Sequence, residues 1–175
     1  MAEIRFAGYG GQGIIRSAII AGKAASIYDN KFSTMNQSFG PEARGGACSS
    51  QLVISESRVL YPYVTESDVF VAMSQEGYEI FEWELSEQGI LLIDKDLVTP
   101  GPTRGSIQRF SVSATKIAEE MGNRIIANVV MLGFFTSATK LVSKEAMEKA
   151  ITDSVPARFI ELNLDAFNKG YNAKL

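Results

Sequence analysis

The 175-residue chain has no histidine and a single cysteine, Cys48. Without histidine there is no Ser-His-Asp or Cys-His catalytic pair, and most zinc and haem sites lose their usual ligand. One thiol cannot hold an iron–sulfur cluster or close an internal disulfide. No apolar run reaches the ~20 residues that span a bilayer. The opening "MAEIRFAG" lacks the basic segment and long apolar core of a signal peptide. A net charge of −3 gives no general attraction to nucleic acid or to an anionic membrane. These absences predict a cytoplasmic protein with neither kind of partner. Any redox or covalent chemistry must draw most of its reacting groups from a cofactor or another chain.

What is present suits one globular domain over residues 1–175. The chain is 46% hydrophobic and 21% charged, enough to bury a core, and no repeat or linker divides it. "EIRFAG" (3–8) reads as a buried strand. From Gln12 to Tyr28, Ile14, Ile15, Ala18, Ile19, Gly22 and Ala25 recur at helical spacing. "KFSTMN" (31–36) is expected as a second strand and "QSFGPEARGG" (37–46) as a loop. "ACSSQLVIS" (47–55) and "VLYPYV" (59–64), joined by "SESR", are expected to pair as a β-hairpin. Further strands are predicted at 68–74, 90–94 and 106–112, with Gly89 starting the second of these. A helix is predicted at 75–85, an irregular connection at 95–105, and helices at 113–123, 124–141, 144–155 and in the tail. The predicted class is α/β. It has a mixed, mainly parallel sheet with a β-hairpin, a Rossmann-like start and a C-terminal helical layer.

Two segments carry the chemistry. In "GYGGQG" (8–13), Gly8, Gly10 and Gly13 have the G-x-G-x-x-G spacing. A glycine loop running into a helix gathers N–H groups at the positive end of the helix dipole and lets an anion approach the backbone. Gln12 adds a side-chain amide. A dinucleotide site also needs an acid at the end of the second strand to hold the ribose. Asp29 lies before that strand, which ends in Met35, Asn36 and Gln37, so the loop does not read as an NAD loop. A turn that binds nothing is the other reading. In the second segment, "SFGPEARGG", Arg44 precedes Gly45 and Gly46. If the first two strands are parallel neighbours, Arg44 reaches the same crevice, where its guanidinium could fork a phosphate or carboxylate. Pairing with Glu42 on the surface is the alternative.

Several other residues are weighed. Cys48 fits a small buried hydrophobe better than a redox group. Tyr78, Phe81 and Trp83 fit core or interface better than a stacking platform. Asp94 ends a strand, where it serves a site or a local turn. Asn128, inside an apolar helix, needs a partner in a loop backbone or a neighbouring subunit. Arg104 and Arg109 are expected to be solvated.

"GYGGQGI", "QSFGPEARGG", "YPYVTESDVFVAMSQEGYE", "GILLID" and "IIANVVMLG", in that order, resemble the gamma subunit of 2-oxoacid:ferredoxin oxidoreductases. "SFGPEARGG" and the tail "ITDSVPARFIELNLDAFNKGY" are most similar to the 2-oxoglutarate branch. The pyruvate, branched-chain and indolepyruvate branches are the near alternatives. The resemblance implies a complex that cleaves a 2-oxoacid on thiamine diphosphate and passes electrons through iron–sulfur clusters to ferredoxin or a similar acceptor. Coenzyme A is the co-substrate that takes the acyl group. It implies partners of alpha, beta and delta type that hold those cofactors, and a gamma chain that binds none of them alone. In the fused pyruvate enzymes the corresponding domain helps to bind coenzyme A. The resemblance carries that role to Gly8, Gly10, Gly11, Gln12, Gly13, Arg44 and Gly45, with no catalytic or metal-ligating residue on this chain. The isolated chain is expected to be inactive and to self-associate as a homodimer through a face meant for its partners.

Overall fold

Successive side chains along each central strand enter different cores, and this alternation sets the layers. Ile4 and Phe6 of β1 (Ala2–Tyr9) pack with Val69 and Val71 of β4 (Ser67–Ala72) and Leu92 of β5 (Leu85–Asp94) in the larger core. Ala7, Phe70, Ala72, Leu91 and Ile93 point to the opposite face and a smaller core. The structure, a computed structural model, describes residues 1–39, 47–61 and 63–175.

Six strands form one sheet in the order β2-β3-β1-β4-β5-β6, with β2 at Phe32–Phe39, β3 at Ala47–Ser55 and β6 at Gln108–Val112. The pairings β1/β4, β4/β5 and β5/β6 are parallel, whereas β1/β3 and β2/β3 are antiparallel. The sheet is therefore mixed and mainly parallel, as expected. Helices α1 (Ile14–Lys23), α3 (Ala114–Glu120), α4 (Ala127–Thr139), α5 (Lys144–Thr152) and α6 (Ile160–Tyr171) supply the larger core. Tyr78 of α2 (Gln75–Phe81) packs in the smaller one.

The hairpin differs from the one expected. Its strands are β2 and β3, in register from Phe32↔Ser55 to Phe39↔Cys48. None of the described residues between 59 and 64 lies in a strand. There the Gln51 side chain satisfies Val64 as a neighbouring strand would, donating to its carbonyl at 3.0 Å and accepting its N–H at 3.4 Å. The β-branched and aromatic residues that suggested a strand leave Leu60 and Tyr61 exposed. Because β3 lies between β1 and β2, the first two strands are not parallel neighbours. Gly89 does not start β5 either. It sits inside the strand at a register shift, where a Cβ would lie 3.0 Å from the Asp68 carbonyl. Helix α2 therefore stops early, through one 3-10 turn at Glu82–Glu84.

Helix α4 is buried from Ala127 to Ser137 and crosses α6 at close range. A Cβ on Gly133 would overlap the Phe167 carbonyl oxygen, and one on Gly170 the Val130 carbonyl oxygen. Two glycines, one per helix, let the backbones meet. No helix among the described residues is long and apolar enough to cross a membrane.

Candidate functional site

The glycine loop leaves the end of β1 and enters α1, as the sequence predicts, but its residues have separate duties. Gly13 caps α1 at φ 77° and Gly11 lies at φ 102°, both in the region that favours glycine. No side chain caps α1, and its first turn carries no acid. The N–H groups at that turn lack intrahelical partners, so they and the dipole face whatever lies at the loop. Around the missing Gly11 side chain nothing lies within 4 Å. Gly10 is exposed as well.

Gly8 and Gln12 face inward instead. A Cβ on Gly8 would lie 2.5 Å from Gln12 Oε1. Gln12 Oε1 accepts the Tyr9 N–H at 2.6 Å, while its Nε2 donates to the Met73 carbonyl at 2.8 Å. The Gln12 amide thus ties the loop to the end of β4. In this arrangement it positions the loop. Gly77 completes the packing: a Cβ there would lie 3.0 Å from the Gly8 nitrogen. Its N–H is taken by Ser74 Oγ, the α2 cap, at 3.1 Å.

Asn128 finds its partner in a loop backbone, one of the two options the sequence left. Its Nδ2 donates to the Gly13 carbonyl at 3.4 Å. Beside this contact a cavity of about 420 Å³ opens between α1, the start of α4 and residues 155–163, with Gly11 and Gly13 at its rim. Of the two buried asparagines that line it, the sequence singles out Asn128, inside an apolar helix, and not Asn163.

Arg44 and Gly45 lie outside the described residues. The residues flanking their segment are placed: Phe39 pairs with Cys48, and Ala47 pairs with Tyr9 at the mouth of the loop. The segment starts and ends at this edge through the β2–β3 hairpin, not through a parallel β1–β2 pair.

The remaining candidates are structural. Cys48 is buried, and burial pushes its thiol up, away from the reactive thiolate. Asp94 is fully buried and accepts from the Thr115 N–H at 2.9 Å, the Thr115 hydroxyl at 2.6 Å and the Asp96 N–H at 3.3 Å. It serves the β5-to-α3 junction. Asp29 accepts the N–H and hydroxyl of Ser143, the α5 cap, so it is no ribose ligand. Tyr78 stacks on Phe70, Phe81 lies under the Arg5 guanidinium and Trp83 under that of Arg104, so the three share no platform. Arg104 and Arg109 are not simply solvated. Arg104 donates to the carbonyls of Glu82, Trp83 and Leu85, and Arg109 to those of Gly101 and Pro102. They pin the proline-rich connection across the sheet, where carbonyls left unpaired by the irregular chain need donors.

Residues 3–173 match the pyruvate ferredoxin/flavodoxin oxidoreductase family. The 2-oxoglutarate synthase subunit KorC of Methanocaldococcus jannaschii is 48% identical over 171 residues, 97% of this chain and 91% of the relative. Among solved structures, the keto/oxoacid ferredoxin oxidoreductase gamma subunit of Geobacter sulfurreducens superposes with a TM-score of 0.87 at 43% identity, covering 98% of this chain and 96% of that one. The 2-oxoglutarate:ferredoxin oxidoreductase of Magnetococcus marinus, with 2-oxoglutarate, coenzyme A and succinyl-CoA bound, gives 0.84 at 26% identity. That match covers 97% of this chain and 30% of the longer one.

Proposed function

The chain belongs to the pyruvate ferredoxin/flavodoxin oxidoreductase family, and from that premise we propose that it is the gamma subunit of a 2-oxoglutarate:acceptor oxidoreductase whose glycine loop contacts coenzyme A. The overall reaction converts 2-oxoglutarate, coenzyme A and an oxidised acceptor to succinyl-CoA, carbon dioxide and a two-electron-reduced acceptor. Its substrate follows the KorC relative, which aligns over nearly the full length of both chains. With one buried cysteine and no histidine, this chain lacks the donors for a cluster. Thiamine diphosphate and the iron–sulfur clusters belong to alpha, beta and delta partners, and ferredoxin or a similar protein takes the electrons. The chain is one domain over 1–175 and works in the cytoplasm.

One observation carries the coenzyme A reading: α1 begins uncapped, with Gly11 open to space where a side chain would stand. Such a terminus suits a pyrophosphate or a terminal phosphate. The coenzyme A bound in the Magnetococcus enzyme supports the class of ligand. Arg44 and Gly45 join the loop in this reading. Arg44 is three residues from Ala47, so an extended chain keeps its backbone within about 11 Å of that position. Exposed Leu60, Tyr61 and Trp83 favour burial against partners in the complex and self-association in their absence.

The test is purification of the complex from its host through a tag on this chain, followed by assay. The reading requires co-purifying thiamine-enzyme and ferredoxin-like chains and coenzyme A-dependent reduction of acceptor with 2-oxoglutarate. Preference for pyruvate or a branched-chain 2-oxoacid would reassign the substrate. A chain that purifies alone and binds NADH tightly would reject the family role.

A further inference from the structure

The border strand β2 has the composition of a strand from the middle of a sheet. Of the two borders, β2 and β6, the second is short and carries Arg109. Charge, proline or shortness on an open edge blunts pairing with another chain. β2 has none of these: it runs for eight residues, "FSTMNQSF", without a charge or a proline. Central β3, "ACSSQLVIS", is of the same character. The lysine just before β2, Lys31, is bound to Glu56 at 3.1 Å and to the Leu141 carbonyl at 3.2 Å.

The ladder shows which backbone groups of β2 face the open side. The Met73 N–H donates to the Ala7 carbonyl, so Ala7 bonds to β4 and Ser49, opposite it on β3, turns toward β2. Ser38, opposite Ser49, therefore bonds to β3, as do the other even-numbered residues of β2. The odd-numbered ones face outward. The Gln37 N–H agrees, since it donates to the Asn36 side chain at 2.8 Å. The outward N–H and C=O groups of Ser33 and Met35 have no partner among the described residues.

We propose that this edge pairs with the same edge of a second copy, antiparallel about a two-fold axis, so that one sheet runs through both chains. The proposal stands apart from the coenzyme A reading. Outward residues must meet outward residues, and an axis at Met35 uses all three: Met35 meets its own copy, and Ser33 meets Gln37 of the other chain. Three such pairs, exchanging two bonds each, make about six backbone hydrogen bonds.

The side chains select a copy as the occupant. In this register Thr34 lies opposite Asn36 of the second chain, and Phe32 opposite Ser38. Hydroxyls and carboxamides both donate and accept, so such a strand is complementary to itself across a two-fold axis. A strand carrying one sign of charge is not. Phe32, 47% exposed, gains cover from the added strand.

The experiment uses the full chain. Sedimentation measures the dissociation constant of the dimer, and hydrogen exchange measures protection of the Ser33 and Met35 amides. The unmodified chain is expected to dimerise, with both amides protected in the dimer and exposed on dilution. Gln37→Pro removes an outward donor and spares the β2–β3 ladder. Asn36→Lys sets two lysines diagonally across the axis. Each is expected to raise the dissociation constant about tenfold or more, whereas Trp83→Ser, on another exposed surface, moves it less than about twofold. If Trp83→Ser dissolves the dimer and the β2 variants do not, the copies meet elsewhere and the inference is wrong. A chain that stays monomeric at its highest soluble concentration overturns it, and so does a dimer whose Ser33 and Met35 amides exchange freely. Protection that arises only in an assembled complex with one copy of this chain gives the edge to another protein's strand and overturns it too. Should Gln37→Pro fail to fold, Asn36→Lys and the exchange of the unmodified chain decide the matter.

Discussion

Asn128, in the first turn of α4, holds the carbonyl of Gly13, the residue that caps α1. The contact joins the glycine loop to the helical layer, and it leaves no room for a side chain. A Cβ on Gly13 would lie 2.6 Å from Asn128 Nδ2, on backbone already at φ 77°. Gly13→Ala is expected to cost about 1–2 kcal/mol from the left-handed backbone alone, and more from displacement of Asn128. Urea denaturation of the chain measures it, and a midpoint equal to that of the unmodified chain would show that the loop relaxes freely.

The crossing of α4 and α6 should be less tolerant still. Gly133→Ala and Gly170→Ala each place a methyl group against a carbonyl of the facing helix. Each is expected to destabilise by about 1–3 kcal/mol or more. The double variant should cost less than the sum of the two, because one separation of the helices relieves both overlaps. Thermal melts of the three variants check this. Strict additivity would mean that the two sites relax independently.

Asp94 gives the chain a pH dependence of definite sign. Burial raises its carboxyl above the ordinary value of 3.8, against the opposing pull of the bonds from Thr115 and Asp96. Between that value and the higher folded one, the native chain binds the proton more tightly than the unfolded chain does. Stability from this group is therefore present below the window and is lost as pH rises through it. Asp94→Asn cannot titrate, so the difference in stability between the two chains should change with pH across this window and level off above it. Urea midpoints from about pH 3.5 to pH 7 would test this. A constant difference across that range would contradict it.

Much of this was legible in the sequence because local and global signals agreed. The G-x-G-x-x-G run after "EIRF" is a strand-to-turn-to-helix unit in sequence and structure alike, and Ser143 caps α5 where the helix expected at 144–155 begins. The hairpin was misread because "VLYPYV" has strand composition, while its partner's free edge was taken by β2 across a loop longer than a tight turn. A residue count cannot show that the Gln51 side chain stands in for a strand. Gln12 and Asn128 were visible as polar residues in telling places, but their partners, Met73 and Gly13, are distant in sequence. The arginines 104 and 109 looked solvated because their acceptors are backbone carbonyls, which no side-chain pattern reveals.

Arg44 separates the anions that this edge of the sheet could recognise. If its guanidinium forks a phosphate of coenzyme A, lysine is a poor substitute, since it offers a point charge. Arg44→Lys and Arg44→Ala should leave assembly intact and raise the KM for coenzyme A by about tenfold to a hundredfold, the equivalent of a lost charge-assisted bond worth roughly 1.5–3 kcal/mol. A rise in the 2-oxoglutarate constant instead would assign Arg44 to the substrate carboxylate. Loss of assembly would make it an interface residue.

The most direct test of the coenzyme A role is steady-state kinetics of the assembled complex carrying Gly11→Val. The space around this position is open, so a branched side chain meets the ligand and not the fold, apart from the local cost of φ 102°. The account predicts an intact complex whose KM for coenzyme A rises at least about tenfold while that for 2-oxoglutarate moves less than about twofold. Unchanged constants for both substrates would show that the glycine loop is a connection between β1 and α1 and nothing more.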